Sequence, residues 1–248
     1  MVMRMARGVC RRIDRVVRAR LRGMANPRRL ADLQRQRGLR VHLGCGDDRL
    51  ADFVNLDYRL TAAVDVAMDL TLPTLAPGSV ALAFSNAFFE HLYRASREPH
   101  LQRVCVALAP DGACCYMGIP YFRNIARLYV ECGPGTVGPV FDLFNVYRYT
   151  HGDPEGQPAW WIGQLHKSLF DEDELGALLA ASGFGAFVMF AYGYPGDVNE
   201  VPVTMGFYAT REPIAPDVLR ERCLSFLGRF ADTRIRLPTL AWIADPRV

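Results

Sequence analysis

The segment Val41–Asp57, VHLGCGDDRLADFVNLD, constrains the fold more than any other stretch of the chain. Val41, Leu43 and the run Phe53–Leu56 carry apolar strand patterning, and Gly44 and Gly46 bracket Cys45 where the chain must reverse at a sheet edge. Glycine at such a turn takes positive φ and lets a ligand approach the main chain closely. Asp57 closes the second strand, where a carboxylate can accept both hydrogen bonds of a ribose diol. Strand, glycine turn and acid-ended strand together predict a nucleoside-binding sheet edge. A G-x-G alone fits a plain turn equally well, so the reading leans on the residues downstream of Asp57.

Those residues keep the spacing. A third apolar stretch, Asp65–Leu70, carries Asp69, and a fourth, Val80–Asn86, runs into FFEHL at Phe88–Leu92. A helical region over 87–108 comes next, expected in two pieces because Pro99 should start a new turn or kink. A Pro-Asp-Gly turn at Pro110–Gly112 and a fifth strand, Ala113–Ile119, complete the pattern. Polar groups at the strand ends of a parallel sheet are where α/β folds bind ligands.

In this order, VHLGCG, VNLD, MDLT, FFEHL and APDG resemble the class I S-adenosylmethionine-dependent methyltransferases, most of all a branch with short GCG, NLD and EHL motifs. The resemblance covers residues 39–119 and resumes at His166–Phe184, HKSLFDEDELGALLAASGF. It implies a Rossmann-like, seven-stranded, mostly parallel sheet flanked by helices, the last strand antiparallel, with S-adenosylmethionine as cofactor. Two departures stand out. Asp47 replaces the third glycine of the usual loop, and Gly46 and Asp57 lie only eleven positions apart. That gap predicts a turn around Asp47–Ala51 in place of a helix, and the branch shares the shortening.

The resemblance implies a cofactor set of Gly44, Cys45, Gly46, Asp47, Asp57, Tyr58, Asp69, Leu70 and Asn86. Asp57 would hold the ribose, and Asp69 with the Leu70 amide would meet the adenine edge. Asp69 could equally cap the turn before Thr71, and Asn86 could be a turn former. Methyl transfer needs alignment of nucleophile, methyl and sulfur more than acid–base chemistry, and no sharp catalytic constellation is visible. The candidates for a base are His166, His151, Glu90 and His91. Each also has a bland reading as a packing, capping or surface residue. Histidine and cysteine spacing predicts no metal site.

At 248 residues and half apolar, the chain can bury one sizeable α/β core. No apolar run approaches the roughly 20 residues of a membrane span, and the N-terminus has no signal-peptide pattern. Seven cysteines (Cys10, Cys45, Cys105, Cys114, Cys115, Cys132, Cys223) form no C-x-x-C pair, which fits free thiols in the cytoplasm. Residues 1–40 hold thirteen arginines against Asp14 and Asp32, a net +11, so the remainder carries −8 of the +3 total.

The chain divides into two units, a basic amphipathic arm over 1–26 and a methyltransferase domain over 27–248. In the arm, Val9, Ile13, Val16, Val17 and Leu21 recur near helical spacing. It is read as a peripheral packing helix, with contact to an anionic membrane surface, and less so nucleic acid, as alternatives. Residues 121–165 read as a structureless, substrate-covering insertion, whose aromatics Tyr121, Phe122, Tyr129, Tyr147, Tyr149, Trp160 and Trp161 line either an acceptor pocket or a small core of their own. Asp171–Ser182 should be a helix ended by Gly183, Phe184–Tyr192 and Val201–Thr210 strands, and Pro216–Phe230 a final helix.

The reading is methyl transfer to a small-molecule or glycan-type acceptor, O-methylation ahead of N-methylation. Its rivals are a non-catalytic S-adenosylmethionine-binding or scaffold protein and a nucleic-acid methyltransferase. The last is disfavoured because the fourth strand ends SNAF in place of an N/D-P-P-Y/F motif. Oligomeric state has no signature in the sequence.

Overall fold

The computed structural model describes residues 26–135, 140–195 and 201–244. A helix at 26–35 (α1) leads into an eight-stranded sheet of order β3-β2-β1-β4-β5-β7-β6-β8. Its first five strands are β1 (Leu39–Leu43), β2 (Val54–Asp57), β3 (Val66–Ala67), β4 (Val80–Asn86) and β5 (Leu108–Pro120), all parallel. β6 (Ala186–Gly193), β7 (Thr204–Thr210) and β8 (Arg236–Ile243) complete it, with β7 antiparallel to both neighbours and β8 antiparallel to β6. The arm assigned to 1–26 lies outside the described residues except for Asn26. That side chain pairs with both backbone groups of Ala67, capping the short edge strand β3 at 2.8 and 2.9 Å.

Both sheet faces are covered. Leu33 of α1, Leu101 and Val104 of α2 (Arg94–Ala107) and Leu175 and Leu179 of α5 (Glu172–Ala181) pack on one face. Leu219, Cys223, Phe226 and Leu227 of α6 (Pro216–Leu227) pack on the other. As expected, β1 and β2 are joined by turns with no helix between them. Phe53 and Phe230 fill the space on that face, Phe230 stacking on Phe84 with ring centroids 4.7 Å apart. α5 starts where its sequence says it should: the Asp171 carboxylate accepts from the Glu174 amide at 2.9 Å, and Gly183 ends it at φ +85°.

Five expectations need correction. The sheet has eight strands, because 236–243 pairs with β6 and Thr239 Oγ1 accepts from the Gly193 amide. The third strand is only two residues long. The helical break falls at Leu92–Tyr93, between a 3-10 turn at Phe89–His91 and α2, and Pro99 sits inside α2. Residues 121–165 are not structureless: they hold α3 (Phe122–Cys132), α4 (Leu143–Thr150) and a 3-10 segment, Ala159–Gln164. Helices form there because Ile125, Leu128 and Phe141 build a satellite core with Val203, against which Tyr129 and Tyr149 pack. The Pro110–Gly112 segment, expected as a turn before a strand at Ala113, is instead part of β5, whose pairing with β4 jumps from Val80↔Leu108 to Leu82↔Ala113.

Candidate functional site

The chain leaves β1 toward β2 and β3, then crosses back to place β4 on the other side of β1. Such a reversal opens a crevice at the carboxyl ends of the two strands. Here it is a cleft of about 770 Å3, ample for a small ligand.

Its floor is the loop after β1. Gly44, at φ +70°, is pressed by Phe88: a Cβ added there would stand 2.6 Å from the ring. Gly46, at φ +55°, would meet nothing within 4 Å. The first glycine is required by packing, whereas the second keeps space open. Asp57, buried at the end of β2, accepts from the Gly46 amide at 2.9 Å through Oδ2 and from the Arg59 amide at 2.9 Å through Oδ1. It therefore organises the loop and still presents its remaining lone pairs to the cleft. Burial pushes the Cys45 thiol up to about 12, so it stays protonated.

Asp69 lines the cleft too, and its Oδ1 accepts from the Thr71 amide and hydroxyl at 2.8 and 2.7 Å. The cap reading of Asp69 is thus what the hydrogen bonds show, and the residue borders the cleft as well. The Leu70 carbonyl is tied down by the buried His100, whose Nδ1–H donates to it at 2.6 Å while Nε2 accepts from the Tyr116 hydroxyl. Asn86 accepts from Tyr194 at 2.8 Å at the end of β4. Next to it Ala87 sits at φ +52°, held by its amide bond to the Met117 carbonyl and by Gly118, which leaves no room for a side chain beneath it.

The opposite wall joins two distant segments. The Glu90 carbonyl accepts from the Lys167 and Ser168 amides at 2.9 and 3.1 Å, and the Ser168 hydroxyl donates to the Leu92 carbonyl at 2.6 Å. This clamp brings Glu90, His91 and His166 together, one ligand-type atom from each within 4.8 Å of the others. Burial pushes the Glu90 carboxyl up to about 8. It pulls His91 down to about 4, helped by nearby His166 and Lys167 and opposed by the carbonyls of Leu165 and Ala87. Burial lowers His166 as well.

Of the sequence-derived cofactor set, Gly44, Cys45, Gly46, Asp57, Tyr58, Asp69, Leu70 and Asn86 all line this one cleft. Asp47 does not; it is exposed. Among the base candidates, His91 lines the cleft, and Glu90 and His166 lie against it. His151 is exposed, and its carbonyl accepts from the His166 amide. None of the insertion's described aromatic side chains lines the cleft; Tyr121 donates to Glu172 at 3.0 Å, and the side chain of Trp160 lies outside the described residues. Sequence reasoning missed Arg59, Phe88, Tyr93, Gly163, Gln164 and Lys167 as lining residues, and Tyr194 and Ser168 as their supports. Phe88, Lys167 and Ser168 lay within the FFEHL and HKSLF motifs; the others had no such signal.

No family model and no curated protein matches the chain. Solved structures similar to it include an S-adenosylmethionine-dependent methyltransferase from Thermotoga maritima (14% identity, 83% of this chain and 97% of that one, TM-score 0.46). Another is from Mesorhizobium loti (19%, 74% and 95%, TM-score 0.46). A third is phosphoethanolamine N-methyltransferase 2 of Haemonchus contortus in complex with S-adenosyl-L-methionine (14%, 76% and 53%, TM-score 0.43). The substrates of these proteins do not transfer to this chain at such identities. No helix among the described residues is long and apolar enough to cross a membrane.

Proposed function

We propose that this chain binds S-adenosylmethionine in the cleft and transfers its methyl group to a small-molecule or glycan-type acceptor, a hydroxyl in preference to an amine. The observation that carries the reading is convergence. The motif residues Gly44–Gly46, Asp57 and Asp69–Leu70, set apart along the chain, line one cleft at the sheet's reversal point. The group fits: Gly46 leaves open space where a side chain would intrude, and a buried carboxylate lies beside it. When bound, the cofactor supplies a methyl on a sulfonium, electrophilic toward an acceptor lone pair.

The chain's own residues do the positioning. Asp57 would take the ribose hydroxyls while holding the Gly46 amide in place. Asp69 and the Leu70 amide would meet the adenine edge, and Asn86, fixed by Tyr194, would border the methionine end. Preference for a hydroxyl comes from the branch that the motifs resemble, and free thiols at all six described cysteines suit a reducing, cytoplasmic setting.

Calorimetric titration with S-adenosylmethionine and S-adenosylhomocysteine tests the reading. Micromolar binding of both is expected, with Asp57→Ala weakening it by about tenfold or more through loss of charge-assisted hydrogen bonds. No binding of either would overturn it. Binding without methylation of any acceptor would leave a non-catalytic cofactor-binding protein.

A further inference from the structure

The wall formed by Glu90, His91 and His166 holds more ligand chemistry than packing requires. Glu90 is fully buried, and its Oε2 has no hydrogen-bond partner; the buried His166 Nδ1 has none either. Buried polar atoms are nearly always paired, so two orphans side by side ask for a missing partner. The ring orientations show what kind. The His91 Nδ1–H donates to the Leu165 carbonyl at 3.3 Å, leaving the Nε2 lone pair facing Glu90 Oε1 at 3.8 Å. The His166 ring is steered by the carbonyls of Tyr149 and Thr150, leaving Nδ1 as its free nitrogen. In metal sites, ligating imidazoles commonly donate their other N–H to a carbonyl in this way.

We propose that Glu90, His91 and His166 form a binding site for one divalent transition-metal ion at the wall of the cleft. The donor set of two imidazoles and one carboxylate suits zinc, iron or manganese better than magnesium or calcium, which prefer oxygen ligands. The ligand atoms lie within 4.8 Å of one another, and an ion with bonds of about 2.1 Å requires them to close in by several tenths of an ångström or more. Three protein ligands leave a position open, and His91 connects the ion to the cleft. Ligation requires neutral imidazoles and an ionised carboxylate, so binding of the ion is coupled to release of any proton these groups hold. Lys167 opposes the ion's charge, but its ammonium is turned to the carbonyls of His91 and Gly163 at 3.3 and 3.1 Å.

The site's task rests on the methyl-transfer reading. An ion there would lower the pKa of an acceptor hydroxyl at its open position. The site itself does not depend on that reading.

The test uses the full chain without a polyhistidine tag, stripped with chelator, titrated with Co2+ by visible absorption and with Zn2+ by elemental analysis. One ion per chain is expected, with affinity falling at least about tenfold in Glu90→Gln and in His166→Gln. Far-UV circular dichroism checks that each variant folds; if one does not, the other decides. No bound ion in the wild type, or equal binding in a folded variant, overturns the site. S-adenosylmethionine titration on the same samples keeps the two readings apart: metal binding without cofactor binding defeats only the methyl-transfer reading, and the reverse defeats only the ion site.

Discussion

The two walls of the cleft are built by different means. The floor and first wall, Gly44–Asp57 with Asp69 and Leu70, come from strand ends close together in sequence and hold their shape through backbone amides donating to local carboxylates, such as Gly46 N–H to Asp57 Oδ2. The second wall, Glu90–Tyr93 with Gly163–Ser168, comes from segments on either side of the helical insertion and is held by five hydrogen bonds between them. A wall made from local turns can be written as a motif. A wall made by docking two segments cannot, because no spacing rule links its halves.

The largest expected effect separates two glycines of the first wall. Gly44→Ala should cost about 3 kcal/mol, since its methyl would overlap the Phe88 ring at a positive φ. Gly46→Ala should cost about 1 kcal/mol, the conformational penalty alone, yet weaken S-adenosylmethionine binding by putting a methyl in open cleft. Urea melts and calorimetry on both variants decide this. Equal stability losses would break the distinction between a packing glycine and a space-keeping one.

Acid should come next. His42 and His100 are buried, and burial holds each at about 4, below the ordinary 6.5. Their contribution is present above 6.5 and is lost as pH falls toward 4, because the unfolded chain takes up the protons first. Both support the first wall, His42 within β1 and His100 through the Leu70 carbonyl. About 2 kcal/mol per histidine should disappear between pH 6.5 and about pH 5. A variant lacking one of them should show a thermal-midpoint slope shallower by about one proton; an unchanged slope would remove that histidine from the account.

The smallest effect probes the second wall. Ser168→Ala removes a buried hydroxyl bond to the Leu92 carbonyl and should cost about 1–2 kcal/mol. Hydrogen exchange at the Lys167 and Ser168 amides should speed up while S-adenosylmethionine affinity stays within about twofold. A drop in affinity as large as that of Gly46→Ala would mean the walls are not independent.

Much of the fold was legible in the chain. β4 has the limits its apolar run suggests and β2 lies within one residue of its own, the turn in place of a helix comes from the short Gly46–Asp57 gap, and α5 begins and ends at its own cap residues. The misses share a cause. β8 lacks strong alternation because an edge strand is half exposed on both sides. The insertion looked irregular because α3 and α4 bury their apolar faces against Val203 and Val201, on a segment far along the chain.

The sequence by itself determined the sheet's first half and the glycine–acid floor, because strand periodicity, turn chemistry and capping act over a few residues. Only the tertiary structure decided that Glu90, His91 and His166 meet, that Asp57 holds the loop as well as facing the cleft, and that Asp47 and His151 point elsewhere. Those facts depend on how separate segments dock, and docking is set by the packing of the whole core.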